Sequence, residues 1–187
     1  MIIKSKNILK KTSAAAVMAL LAIGLFSCEK EDTKETEGEE EELITTVQIG
    51  VKAEGSSDTV TVKWSDIDGI GGNEPTIDTL YLNRSANYSM YISFLDESGN
   101  ETEDITEEIK EEANDHLVCT YSNTGIVISS IDTDNNGFPL GLEQIVSLDS
   151  AVNGDITFQL KHQPGIKTGT CDVGATDIEV TFPIVIN

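Results

Sequence analysis

The sequence predicts an all-β fold, an antiparallel β-sandwich with about eight or nine strands and one short helix. Three observations support this prediction. Apolar and polar side chains alternate along most of residues 43–187. The alternating runs are rich in valine, isoleucine, threonine and tyrosine, residue types that favour strands. Clusters of glycine, asparagine, aspartate and serine separate these runs at short intervals, which is typical of sandwiches of the immunoglobulin-like or Greek-key type.

The predicted strands follow one another through the whole region. In the first of them, Val47, Ile49 and Val51 face one way, so one side of the strand is expected to be buried. Pro183 lacks an N–H group and predicts an edge or a bulge in the last strand. Asn123–Gly125 predicts a tight hairpin loop. The strand runs are 47–51, 60–64, 88–94, 117–121, 126–131, 145–148, 156–160 and 178–186.

One segment, residues 103–114, predicts a short helix lying over one end of the sandwich. Ile105, Ile109 and Ala113 recur at intervals of four residues, as on one face of a helix. Asp104 and Glu107 are spaced as a capping pair at its start.

The N-terminus predicts a lipoprotein signal peptide over residues 1–27. Met1–Lys11 is basic, Ala14–Phe26 is apolar but too short to span a bilayer, and a small residue, Ser27, precedes Cys28. Leu25–Cys28 looks like a lipobox, so Cys28 is the predicted site of lipidation. Diacylglycerol and an N-acyl chain such as palmitate would give a stable membrane anchor. Glu29–Asp32 resembles the surface-export signal of Bacteroidota lipoproteins, which predicts an outer-membrane, cell-surface location.

Residues 28–42 predict a lipidated cysteine followed by a disordered acidic tether, and residues 43–187 a β-sandwich domain. The tether from Glu29 to Glu42 contains nine acidic residues and no apolar one, so it cannot bury enough surface to fold. The chain has 33 acidic and 12 basic residues, and four of the basic ones precede Cys28. This charge argues against nucleic acid or an anionic lipid surface as a partner bound by charge.

The stretch from Asp132 to Glu143 fits a twelve-residue calcium-loop pattern. Asp132, Asp134 and Asn136 would supply side-chain oxygens, Phe138 its carbonyl oxygen, and Glu143 two oxygens at the twelfth place. The flanking residues predict strands instead of EF-hand helices, and Pro139 occupies the eighth place. Two alternatives therefore stay open, a structural Ca²⁺ ion that staples a loop and a plain turn rich in Asp and Asn.

Cysteines and histidines offer two further possibilities. Cys119 and Cys171 form an even pair once Cys28 is lipidated, so a disulfide and two unpaired thiols are both open. His116 and His162 could build a transition-metal site together with Cys119 or a nearby carboxylate such as Asp115, although nothing in their spacing brings them together.

Three short motifs predict O-glycosylation at Thr59, Thr79 and Ser150, because each resembles the Asp-Ser/Thr-apolar pattern of exported Bacteroidota proteins. No pattern for nucleophilic catalysis occurs, and aromatic residues make up only 5% of the chain, few for a sugar-binding cleft. The protein is therefore predicted not to be an enzyme.

The region after the tether resembles a family of small surface lipoproteins of the flavobacterial type. The resemblance rests on Glu42–Val47, Asp66–Gly72, Asp104–Glu108, Asp132–Leu142 and Asp177–Pro183. Some members carry the label "type 1 periplasmic binding fold", which implies two α/β lobes, whereas the strand pattern here predicts an all-β domain. The resemblance implies no activity.

Together these features predict a non-catalytic surface lipoprotein that acts as a binding or accessory module. An outer-membrane transporter of the TonB-dependent class is the expected partner by analogy. The alternative is a lipoprotein that captures a metal ion or haem for such a transporter, through the calcium-type loop or the two histidines.

Overall fold

A computed structural model describes residues 42–84, 86–148 and 151–187, which belong to one compact unit. Within these ranges the chain forms ten strands and one helix, and the strands make two sheets. The predicted all-β sandwich with one short helix is confirmed. The two strands that the sequence did not predict are two and three residues long, too short to show a period-two pattern.

The first sheet has six strands, all paired antiparallel. They are β1 (Thr46–Ala53), β2 (Val60–Ser65), β3 (Thr76–Ile77), β5 (Tyr88–Leu95), β7 (Val127–Ser130) and β8 (Glu143–Ser147), in the spatial order β3-β2-β1-β5-β8-β7.

The second sheet has four strands. They are β4 (Leu80–Leu82), β6 (His116–Ser122), β9 (Gly154–His162) and β10 (Ala175–Ile186), in the order β4-β10-β9-β6. Only β4 and β10 pair in parallel. The sheet's irregularity lies between Thr176 and Ile178, not at Pro183. Pro183 pairs with a residue of β9 on one side. On the other side, the pairing of β10 with β4 begins only at Ile184, so the missing N–H of Pro183 removes no hydrogen bond between β10 and β4.

Apolar side chains from the two sheets and the helix form one continuous core. Val47, Ile49 and Phe94 of the first sheet are fully buried, as their alternation predicts. In the second sheet, Phe158 and Phe182 meet edge to face with ring centroids 6.0 Å apart.

The helix α1 spans Ile105–Glu111, shorter than the predicted segment. The side chain of Asp104 caps it by accepting a hydrogen bond from the N–H of Thr106, while Glu107 instead pairs with Lys110 at 2.7 Å. Ile105 and Ile109 are buried in the core. Helix α1 ends close to the start of β6 in sequence, with four residues between them.

The prediction of a hairpin at Asn123–Gly125 is wrong. Strand β6 lies in the four-stranded sheet and β7 in the six-stranded sheet, so these residues carry the chain from one layer to the other. The side-chain oxygen of Asn123 accepts the N–H of Asp155 at 2.7 Å, which holds the crossing against β9. Among the described residues, no helix has both the length and the apolar character needed to cross a membrane.

Candidate functional site

His116 and His162 lie directly opposite each other on the neighbouring strands β6 and β9. Their rings are stacked, with centroids 4.8 Å apart and planes 8° from parallel. Alternate side chains of β9 face the core, among them Phe158 and Leu160, and His162 is the next residue in this alternation. In β6, His116 likewise stands two residues before buried Val118. The two imidazoles therefore close one end of the core.

Acidic groups from other parts of the chain surround this pair. Glu42 carries its Oε1 to 3.6 Å from His116 Nε2, and its side chain is only 13% exposed. Glu112 is the C-cap residue of α1, and its carbonyl oxygen lies 3.3 Å from His116 Nδ1. Asp177, the residue at the irregularity of β10, interacts electrostatically with both Glu42 and His116. Glu42, assigned to the tether by its sequence, thus packs against the domain.

The surroundings of Glu42 and His116 disfavour the charged form of each side chain. Burial raises the pKa of Glu42 to about 7, and the negative charges of Asp177, Glu108 and Glu112 add to the effect. Burial also lowers the pKa of His116, and the neighbouring His162 lowers it further, against smaller opposing contributions from Glu112 and Asp177. At neutral pH the His116 ring is therefore neutral, the form that can bind a metal ion.

The cluster contains a set of atoms suited to a metal ion. Donor atoms of Glu112, His116 and His162 lie within 4.8 Å of one another. Sequence reasoning named both histidines as potential ligands, with Cys119 or Asp115 beside them, and did not associate Glu112 or Glu42 with the pair. Cys119 is bonded to Cys171 and is therefore not a ligand. The alternation of side chains along each strand could have indicated that both histidines face the core. The pairing of β6 with β9 could not be read from the sequence, and that pairing is what brings them together.

The stretch predicted to bind calcium is a loop stabilised by its own backbone. Asp132 accepts N–H groups of Gly141 at 2.9 Å through Oδ1 and of Leu142 and Glu143 at 2.9 and 3.2 Å through Oδ2. Gly137 has a φ of 84°, which an L side chain rarely adopts, so the sharp turn expected at this place is present.

Asp134 has a cationic partner inside the protein. Its Oδ1 accepts the N–H groups of Asn136 and Phe138 at 2.8 and 2.9 Å. Its Oδ2 lies 2.9 Å from the Lys167 ammonium group, and both side chains are almost fully buried. Burial would raise the pKa of Asp134, but the hydrogen bonds from Lys167 and from the two N–H groups outweigh it and lower the pKa.

Two of the other proposed calcium ligands, Phe138 and Asn136, also have protein partners. The carbonyl oxygen of Phe138 accepts the N–H of Asp134 at 2.8 Å, and Asn136 Nδ2 donates to Asn114. Glu143 is exposed at the start of β8, where it lines an open cleft of about 390 Å³ between α1 and the sheet, together with Tyr91 and Lys110. Calcium binding by this loop stays a prediction.

Cys119 and Cys171 form a disulfide, with Cα atoms 6.0 Å apart. Cys119 is buried on the face of β6 opposite to Val118. Of the two alternatives that the sequence left open, the structure contains the bond. This bond links β6 to the loop between β9 and β10.

The predicted modification sites are distributed over different parts of the chain. Thr59 is exposed and Thr79 is half-buried. Ser150 and the lipidation site Cys28 lie outside the described residues. Modification at all four positions stays a prediction.

No family model, curated protein or solved structure matches this chain.

Proposed function

We propose that this protein is a lipid-anchored, non-catalytic binding or accessory module displayed on the cell surface. The observation that carries the proposal is that two of the three cysteines form a disulfide and the third lies in the lipobox-like motif. Cys119 and Cys171 bond to each other in the folded domain, as is common in exported proteins and rare in the cytosol. That bond leaves Cys28, in the Leu-Phe-Ser-Cys motif, as the cysteine for acylation.

The charge of the chain supports the same reading. The sandwich domain follows an acidic segment of about a dozen residues, whose like charges would repel one another. Such a spacer would hold the domain away from the anionic membrane surface. The cleft beside Tyr91 and Lys110 offers a surface to a ligand or to an outer-membrane transporter, the partner expected by analogy.

Metabolic labelling with a palmitate analogue in a Bacteroidota host tests the anchor. We expect label on the wild-type chain and none on Cys28→Ala. Cys119→Ala is the matched control, because it removes a cysteine and the disulfide but leaves the proposed acylation site. Label that persists in Cys28→Ala would refute the anchor.

Protease treatment of intact cells tests surface display. We expect the wild-type domain to be cleaved. A variant with Lys30, Glu31 and Asp32 all changed to alanine should keep the lipid label but become protected, because the export signal is lost. Protection of the wild-type domain in intact cells, with cleavage only after lysis, would refute surface display.

A further inference from the structure

We propose that Glu112, His116 and His162 form a binding site for one divalent transition-metal ion of the zinc type, with Glu42 as a fourth ligand. Donor atoms of the first three residues already lie within 4.8 Å of one another, and Glu42 Oε1 lies 3.6 Å from His116 Nε2. Two imidazoles with carboxylates suit Zn²⁺ and its neighbours in the first transition series, whereas Ca²⁺ and Mg²⁺ prefer oxygen alone. This inference does not depend on the lipid anchor.

The ligands are carried by well-fixed backbone. His116 and His162 face each other at the end of a β-ladder, whose register continues through the six residue pairs that follow. Glu112 is fixed by the hydrogen bond that its N–H donates to the Glu108 carbonyl at the end of α1. Sites on strands and helix ends hold their ligands more precisely than sites on loops. Binding would therefore require little ordering of the main chain.

Glu42 supplies an independent indication that a positive charge belongs here. The side chain of Glu42 is mostly enclosed, and its Oε2 atom is buried and accepts no hydrogen bond. A buried carboxylate oxygen without a donor is costly to the folded state. A metal ion bound between Glu42 and the imidazoles would offset the repulsion among Glu42, Glu112 and Asp177.

The stacked rings must change their relative orientation when an ion binds. A metal ion bound by an imidazole lies close to the plane of the ring, and two stacked rings have no common plane near both nitrogens. One ring must therefore turn. His162 is half-buried whereas His116 is buried with its Nδ1 against the Glu112 carbonyl oxygen, so we expect His162 to rotate.

The test is a Zn²⁺ titration of the full chain in detergent, with a chromogenic chelator as competitor. We expect one Zn²⁺ per chain. His162→Gln and Glu112→Gln should each weaken binding by about tenfold or more, since even residues that only support ligands have effects of this size. Glu111→Gln is the matched control, because Glu111 is the neighbouring exposed glutamate of α1 and should leave affinity unchanged.

NMR of the imidazole groups gives a second readout that does not depend on variants. Stoichiometric Zn²⁺ should shift the ring signals of both histidines in the wild-type protein. The proposal is overturned if the wild-type chain binds no Zn²⁺, if His162→Gln binds it equally well, or if the ring signals do not move. Binding that survives in His162→Gln would assign the ion to the acidic segment before Glu42.

Discussion

The ammonium group of Lys167 lies 2.9 Å from Oδ2 of Asp134, and the two side chains are 3% and 0% exposed. Lys167 also donates a hydrogen bond to the carbonyl oxygen of Ala113 at 2.7 Å, just beyond helix α1. One side chain thus joins three segments: the loop after β7, the end of α1 and the loop after β9. Asp134 holds the third place of the calcium-type pattern, and a lysine supplies the positive charge that the pattern assigns to an ion.

Removing that lysine should destabilise the fold. Lys167→Met keeps most of the length of the side chain but leaves the Asp134 carboxylate buried without its countercharge. Breaking a buried pair in this way costs about 3–5 kcal/mol. Urea denaturation should show this loss of unfolding free energy. Lys110→Met, which breaks the exposed pair with Glu107, should cost less than about 1 kcal/mol.

The double variant Asp134→Asn/Lys167→Met should recover part of this loss, because it leaves no unpaired charge. A double variant no more stable than Lys167→Met would mean that the pairing is unimportant and that the packing of Lys167 matters instead.

The same lysine should compete with calcium. When Lys167→Met frees Asp134 Oδ2, the carboxylates of Asp132, Asp134 and Glu143 gain affinity for a hard cation. We therefore expect Ca²⁺ to raise the Tm of Lys167→Met more than that of the wild-type chain, with the difference measured by differential scanning calorimetry. Asp132→Asn in the Lys167→Met background should abolish the gain. Equal shifts in Lys167→Met and the wild-type chain would contradict competition.

The disulfide should contribute substantially to stability. Cys119 and Cys171 are 52 residues apart in sequence, and closing a loop of that size stabilises by ~4 kcal/mol in the chain-entropy estimate. Cys119→Ala/Cys171→Ala should therefore lose about 2–5 kcal/mol of unfolding free energy in urea. Dithiothreitol should reduce the stability of the wild-type chain and leave the double variant unchanged. A wild-type chain indifferent to the reductant would show that the bond is absent in solution.

The sequence predicted the layers of this fold better than their connections. Alternation placed Val47, Ile49 and Val51 in the core correctly, because side-chain direction in a strand follows directly from position. Which strand pairs with which depends on contacts distant in sequence. The segment Asn123–Gly125 has the composition of a hairpin loop, yet it joins different sheets.

In the candidate metal site, too, the sequence predicts the direction of the side chains but not their contacts. Its histidines stand at inward positions that the strand period can locate. Their contact depends on β6 lying beside β9, and the approach of Glu42 depends on how the chain enters β1. Glu42 was assigned to the tether because its neighbours in sequence are acidic, and composition alone cannot show that one glutamate of a run is buried. Capture of haem by the histidines stays a prediction.

Glu42 should make stability depend on pH in the absence of metal. Its pKa is about 7 in the folded protein against an ordinary value of 4.5. Between these values the folded protein retains a proton that the unfolded chain has released. Stability from this group is therefore complete below pH 4.5 and is lost as pH rises through 7. The lowered pKa of His116 acts in the opposite sense, because it removes stability as pH falls below 6.5.

Comparison with Glu42→Gln isolates the contribution of Glu42, because Asp177, Glu108, Glu112 and His116 face position 42 in both proteins. With EDTA present, the two should have similar unfolding free energies near pH 4.5. At pH 8 we expect Glu42→Gln to be the more stable by on the order of 1–2 kcal/mol, less than the full pKa shift implies because solvent screens part of the charge. A difference in unfolding free energy that is constant from pH 4.5 to 8 would contradict this prediction, because it would mean that Glu42 has the same pKa in the folded and the unfolded chain.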